Sequence, residues 1–198
     1  GYADVVPMNR AIIADPDWAN KALTGRSDEI RKCIACNEAC WGRGEMGLPI
    51  GIGCAVNPDI GFEEDMILTP AETKKTVMVI GGGVAGLEAA RVAAERGHTV
   101  SVYERGDELG GQVLTAGKAS MRIDFAEPAR YYTVQMDRLG VDVHLGEEVT
   151  MATVDAAKPD VVVVATGSTP IIPDDVPGAD GPNVTEVRAV LDGEVEVG

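Results

Sequence analysis

The sequence predicts an α/β protein with a doubly wound parallel sheet, and three observations lead there. Strand-like and helix-like runs alternate over residues 71–198. Apolar residues make up 45% and aromatics only 4%, so the core must be Val, Ala, Ile and Leu, which suits parallel strands. A glycine-rich stretch, "IGGGVAG" at 80–86, lies between an apolar strand and a helix start.

The elements follow in order. Residues 1–26 read as a strand around Val5 and Val6, then a helix opening at Asp15-Pro16 and stopping at Gly25. One strand and one helix cannot bury a core, so this stretch reads as the last β/α unit of a barrel lying upstream. A first residue that is Gly1 rather than Met agrees with a piece of something longer. Residues 27–70 are loop-rich, with Gly42, Gly44, Gly47, Pro49, Gly51, Gly53, Pro58 and Gly61. Such a segment needs something other than an apolar core to hold it. Regular pattern returns with a strand at 76–80, a helix at 84–96 and a strand at 98–104. A helix at 123–139, a strand at 141–144 and a buried strand at 160–165 complete it. From Ser168 onward the Pro, Gly and Asp content reads as a surface excursion or linker. His98 and His144 fall on strand positions and read as structural.

The net charge is −15, and after Val141 twelve acidic residues face only Lys158 and Arg188. A basic stripe that releases DNA counterions is absent, so no nucleic-acid partner is expected. The longest apolar run, Val161 to Ala165, falls far short of the roughly 18 residues of a membrane span, and no signal peptide is visible. A cytoplasmic protein with a small-molecule substrate is the expectation.

All four cysteines lie in the loop-rich segment, spaced Cys33-x2-Cys36-x3-Cys40-x13-Cys54. Three chemistries use such thiols. Disulfides need an oxidising compartment, which nothing here suggests. Structural zinc sites usually present two C-x2-C pairs. Three close cysteines plus one distant are nearer the spacing that binds a 4Fe–4S cluster, where each iron wants one terminal sulfur. Small residues between the ligands, such as Ala35 and Ala39, let backbone N–H groups approach the sulfurs. Trp41 either shields such a cluster or packs as an ordinary aromatic.

Gly81, Gly83 and Gly86 form G-x-G-x-x-G after a strand and before a helix, with Glu104 at the end of the next strand, 18 residues after Gly86. That context is what a dinucleotide site needs. Gly81 suits a tight turn, Gly83 a close approach of the pyrophosphate, and Gly86 close helix–strand packing. The helix N-terminus at Val84 offers N–H donors to phosphate. Glu104 is placed to accept from ribose hydroxyls and would repel a 2′-phosphate, so NADP is not expected there. Gly110-Gly111 gives a second point of close approach, and Thr166-Gly167 ends a strand at the sheet's carboxyl edge.

G-x-G-x-x-G…E, then "GGQ" at 110–112, then "ATG" at 165–167, resembles the FAD-binding domain of flavoproteins with two dinucleotide domains. "CIACNEACW…GCAVNP" is similar to the iron–sulfur segment of the 2,4-dienoyl-CoA reductase and trimethylamine dehydrogenase family. "ADVVPMNRAIIADPDWANKALTGR" resembles the end of that family's old-yellow-enzyme-like barrel. The resemblance implies a barrel end at 1–26, a 4Fe–4S segment at 27–70, and the first part of an FAD-binding Rossmann-like domain at 71–198. It implies Cys33, Cys36, Cys40 and Cys54 as cluster ligands. It implies FAD or ADP contacts at Gly81, Gly83, Gly86, Glu104, Arg105, Gly111, Gln112, Val149, Thr166 and Gly167. Arg10 matches the arginine near the FMN phosphate of such barrels, whereas Asn9 stands where the family has a small residue. In the reductases, NAD(P)H reduces FAD, and electrons reach FMN through the cluster for reduction of an activated C=C bond. In the amine dehydrogenases the flow starts at FMN, and ADP replaces FAD. The x3 spacing between Cys36 and Cys40 is that of the reductase branch. The resemblance puts the proton donor upstream of Gly1 and the NAD(P)H domain after Gly198, so no catalytic acid or base is assigned here. A non-catalytic electron-transfer module is the reading from a different class.

Overall fold

A computed structural model of the chain describes residues 3–47, 51–173 and 175–196. Gly1, Pro49 and Gly198, named above, lie outside the described residues.

Four parallel strands form the frame: β1 (Thr76–Ile80), β2 (Thr99–Glu104), β3 (Asp142–Leu145) and β4 (Val161–Val164), in the order β3-β2-β1-β4. Their register is regular, with Val77 beside Val100 and Val161, and Val79 beside Val102 and Val163. The pleat sends these valines to one face, where α4 (Val84–Glu95) and α6 (Glu127–Arg138) cover them. Leu87 and Ala90 of α4, with Tyr131, Tyr132 and Met136 of α6, complete that core.

A polar latch holds the two helices together. Arg91 of α4 is buried and grips Glu88 through two nitrogens, at 2.8 and 2.6 Å, and Glu95 through a third at 2.8 Å. Glu88 also accepts from the Tyr132 hydroxyl, and Glu95 from Arg138, both on α6. Burial alone favours a neutral Arg91, but Glu88 and Glu95 outweigh it and hold the guanidinium charged. Burial and then the Glu88 charge push the Tyr132 phenol well above its ordinary range.

The remaining helices are short. α1 (Arg10–Ala14) and α2 (Trp18–Leu23) precede the cysteine segment, and α3 (Arg43–Glu45) lies within it. α5 (Gln112–Lys118) follows the Gly110-Gly111 turn, α7 (Met151–Ala157) starts at a Thr150–Thr153 capping box, and α8 (Val187–Leu191) is capped by the Glu186 carboxylate.

Several expectations are met closely. The strand at 76–80 has the expected bounds, and the helix at 84–96 and the strands at 98–104 and 141–144 agree within a residue or so. Others need correction. Val5 and Val6 form no strand and are exposed, because no ladder partner reaches them among the described residues. Asp15 does not start a helix. It ends α1 as a buried carboxylate, accepting from Lys21 Nζ at 2.7 Å and from the Arg31 amide at 2.8 Å, and α2 begins at Trp18. The long helix at 123–139 is a 3₁₀ turn (Ile123–Ala126) followed by α6, because Pro128 fits only a first helical turn. The valine run at 161–164 is not buried: it is an edge strand with a helix layer on one face, so Val162 and Val164 are exposed. The stretch after Ser168 is largely irregular, as expected, but contains α8. His98 accepts the Lys75 amide through Nδ1, and His144 stacks on Tyr103 at 4.3 Å; both are structural.

Leu87 is completely buried where α4 meets the sheet. Leu87→Ala should lower unfolding free energy by about 2–5 kcal/mol in a denaturant titration. A loss below about 1 kcal/mol would contradict this account of the core.

Candidate functional site: a cysteine pocket beside a nucleotide cleft

β1 is flanked by β2 on one side and β4 on the other, so a crevice opens at its carboxyl end. The glycine loop fills its floor, and each glycine has its own reason to be glycine. Gly81 has φ of +111°, and a Cβ there would strike the Ala165 carbonyl. Gly86 presses α4 onto the strand: a Cβ would strike the Gly81 carbonyl and sit 3.1 Å from Val79. A Cβ on Gly83 meets nothing within 4 Å, so that position faces open space at the N-terminus of the 12-residue α4. The tight turn at Gly81 and the close helix–strand packing at Gly86 are as the spacing predicts.

Glu104 ties the crevice together. Its carboxylate accepts from the Gly82 amide at 2.7 Å and from the Gly106 amide at 2.8 Å. Two oxygens offer about four acceptor positions, so two remain for a ligand's hydroxyls. The Gly82 carbonyl in turn accepts from the Gly110 amide at 2.8 Å, which seats the second glycine turn on the first. On the far wall, Gln112 Nε2 donates to Ser168 at 3.3 Å, next to Gly167. The resulting cleft is about 420 Å³ and is lined by Gly81, Gly83, Glu104, Arg105, Gly111, Gln112, Thr166 and Gly167. Val149 is not on its wall; its loop reaches the same end through the Glu147 amide, which donates to the Glu104 carbonyl. Sequence reasoning missed Thr115, Ser168, Arg188 and Asp192 on this wall. Thr115 and Lys118 of α5 bind Asp192, and hydrogen bonds from Lys118 and Thr115 hold its carboxyl below the usual range. Only the short α8 pattern hints at Arg188 and Asp192, inside a stretch that reads as linker, while Thr115 lies on α5.

The four cysteines come together. Cys33, Cys36, Cys40 and Cys54 line one small pocket with Arg10, Ile13, Ile34, Ala39, Ala55 and Val56, and none forms a disulfide. The loop is tightly wound to do so. Ala35 and Asn37 both adopt φ of +54°, and a single π-helical turn (Glu38–Gly42) follows, closed by the Gly42 amide donating to the Asn37 carbonyl. The Ala35 amide donates to Cys33 Sγ at 3.4 Å, the approach expected of a small residue there. A Cβ on Gly53, before Cys54, would displace the Arg43 guanidinium and press on Ala39. Among the described residues, no three Cys, His, Asp or Glu lie close enough to share a single ion. Four free thiols thus surround one small space. Arg10 donates to Asn37 Oδ1 at 2.7 Å and forms part of this pocket's wall. Trp41 is exposed and absent from that wall, so it neither shields the thiols nor packs in a core.

A knot of buried polar groups fixes the cysteine loop between its neighbours. Arg31 donates to Asn57 Oδ1 at 2.9 Å and to the Tyr131 hydroxyl of α6 at 3.0 Å. Asn57 donates back to the Ile13 carbonyl of α1 at 2.8 Å. At the rim, Lys32 and Arg130 share Glu127, and Arg130 also donates to the Asp28 and Ile30 carbonyls. Burial favours a neutral Glu127, but these two cations hold its carboxyl below the ordinary range. A cavity of about 230 Å³ lies in this junction. Ile34, Ala55 and Val56 line both it and the cysteine pocket, while Val84 and Val113 line both it and the nucleotide cleft.

Residues 75–195 match the family described as Pyridine nucleotide-disulphide oxidoreductase. The chain is 40% identical over 198 residues to a protein named NADH oxidase from Thermoanaerobacter brockii, covering 98% of this chain and 30% of that one. A solved complex of 2-naphthoyl-CoA reductase superposes with a TM-score of 0.92 at 40% identity, over 100% of this chain and 30% of that one. The 6-hydroxypseudooxynicotine amine oxidase from Pseudomonas geniculata N1 superposes with a TM-score of 0.87 at 32% identity, over 98% of this chain and 30% of that one. The chain thus spans about 30% of the length of these relatives. Among the described residues, no helix is long and apolar enough to cross a membrane. The fold, the cleft and the match over residues 75–195 make this chain a member of the family described as Pyridine nucleotide-disulphide oxidoreductase.

Proposed function

We propose that this chain is the electron-carrying middle of an iron–sulfur flavoprotein that uses NAD(P)H to reduce an activated C=C bond. The observation that supports it is contiguity: one apolar cavity shares walls with the thiol pocket and with the nucleotide cleft. In this reading residues 1–26 close an FMN barrel, 27–70 hold a 4Fe–4S cluster, and 71–198 bind FAD. When bound, flavins exchange hydride and single electrons, and the cluster passes single electrons. The residues have separate tasks. Cys33, Cys36, Cys40 and Cys54 each present one thiolate. Gly83 leaves room for the pyrophosphate at the N-terminus of α4, and Glu104 orients the ribose. Arg10, beside the thiol pocket, stands on the side of the FMN phosphate. Free thiols suit a reducing cytoplasm. A small-molecule substrate completes the reading, with neither nucleic acid nor membrane as partner.

The amine-oxidase relative supports a second reading, an amine dehydrogenase with ADP in the cleft and electrons leaving through the cluster. The x3 spacing between Cys36 and Cys40 favours the reductase.

Two experiments test the proposal. In the intact protein, Cys40→Ser should leave FAD reduction by NAD(P)H intact and abolish FMN reduction, read by stopped-flow absorbance. FMN reduction at the wild-type rate would end the relay idea. The glycines give a paired test. Gly83→Ala should strip the FAD yet melt within about 2 °C of FAD-free wild type, because its methyl enters only ligand space. Gly86→Ala should lower the melting temperature markedly, because its methyl strikes the Gly81 carbonyl. Full FAD content in Gly83→Ala would contradict the phosphate role.

A further inference from the structure

Among the described residues, Arg31 is the one cation that is buried and has no carboxylate within ion-pair distance. It is 8% exposed. Its guanidinium donates to two neutral oxygens, Asn57 Oδ1 and the Tyr131 hydroxyl, and lies 4.8 Å over the Tyr131 ring. Its Nε is buried with no hydrogen-bond partner at all. Asp15 is matched with Lys21, Glu88 and Glu95 with Arg91, and Glu127 with Lys32 and Arg130, while Asp59 and Glu63, on a groove that Arg31 also lines, lie beyond ion-pair distance of it. A buried unpaired cation is costly, and a fold that keeps one has an anion to set against it.

The thiol pocket lies next to it. Arg31 is two residues before Cys33 and lines the cavity whose Ile34, Ala55 and Val56 walls also line the thiol pocket. These walls are apolar, so little lies between the charges to screen them. We propose that Arg31 is the counter-charge of a cluster held by Cys33, Cys36, Cys40 and Cys54, and that it raises the cluster's reduction potential. This rests on reading those cysteines as cluster ligands. A cluster with four thiolates is a net anion and becomes more negative on gaining one electron from the flavin; no bond forms or breaks. A fixed cation beside it stabilises the reduced state more than the oxidised one. Arg31 acts through space and is a positioning residue, not a catalytic one.

The test is a redox titration of the intact protein, purified without air, following the electron-spin-resonance signal of the reduced cluster. Arg31→Gln should lower the reduction equilibrium constant roughly tenfold, a shift of about 59 mV for one electron. Arg31→Lys, which keeps the charge, should restore most of the wild-type value. Asn57→Asp puts a carboxylate where the Arg31 Nη1 partner now sits at 2.9 Å, and should lower the potential with Arg31 still in place. Should Arg31→Gln lose its iron, Asn57→Asp and Arg31→Lys decide the matter. The inference is overturned if Asn57→Asp leaves the midpoint unchanged, or if Arg31→Lys falls as far as Arg31→Gln. A wild-type protein with no 4Fe–4S signal overturns the cysteine reading itself, a failure distinct from an unshifted midpoint, and this inference with it.

Discussion

The arrangement depends on a few buried polar contacts that let a loop without a core of its own hold one shape. Residues 27–70 cannot bury enough apolar surface to stay ordered alone. Arg31 and Asn57 solve this by joining three parts of the chain: Asn57 holds α1 through the Ile13 carbonyl, and Arg31 holds α6 through Tyr131. Asp15 adds a third tie through the Arg31 amide. Each of these groups is nearly water-free, so each broken contact would leave an unsatisfied polar atom at a cost of about 1–3 kcal/mol. That asymmetry fixes the cysteines against the nucleotide domain more firmly than apolar packing of so small a segment would.

The nucleotide cleft uses a different economy. Its floor is backbone, and side chains are almost absent from it. Gly81, Gly86 and Gly110 let three stretches of chain approach to contact distance, and Glu104 then bridges two of them through the Gly82 and Gly106 amides. A carboxylate held by two amides is oriented before any ligand arrives, so little entropy would be lost in ordering it. Among the glycines of the cleft, Gly83 alone has empty space in front of it, at the N-terminus of α4.

The sequence made the nucleotide half legible because its signals are local. A strand, a glycine triplet and an acidic residue at fixed spacing describe one β-α-β unit, and β1, α4 and β2 follow within a residue or so. The thiol spacing likewise announced a shared pocket. What the sequence concealed is long-range. Asp15 looked like a helix cap because its local context is a cap context, but a buried amide 16 residues away and Lys21 claim it instead. Arg31 carries no motif, and only its distant partners Asn57 and Tyr131 reveal its burial. The valines of β4 read as doubly buried because residue type does not report which strand lies at an edge.

The central claim is that the cysteine pocket holds an iron–sulfur cluster beside a flavin. The most direct test is to purify the intact protein without air, assay its metals and acid-labile sulfide, and identify the nucleotides released on heating. The account predicts iron and sulfide in equal amounts, together with FAD and FMN. Zinc in place of iron, or cysteines recovered as disulfides, would contradict it.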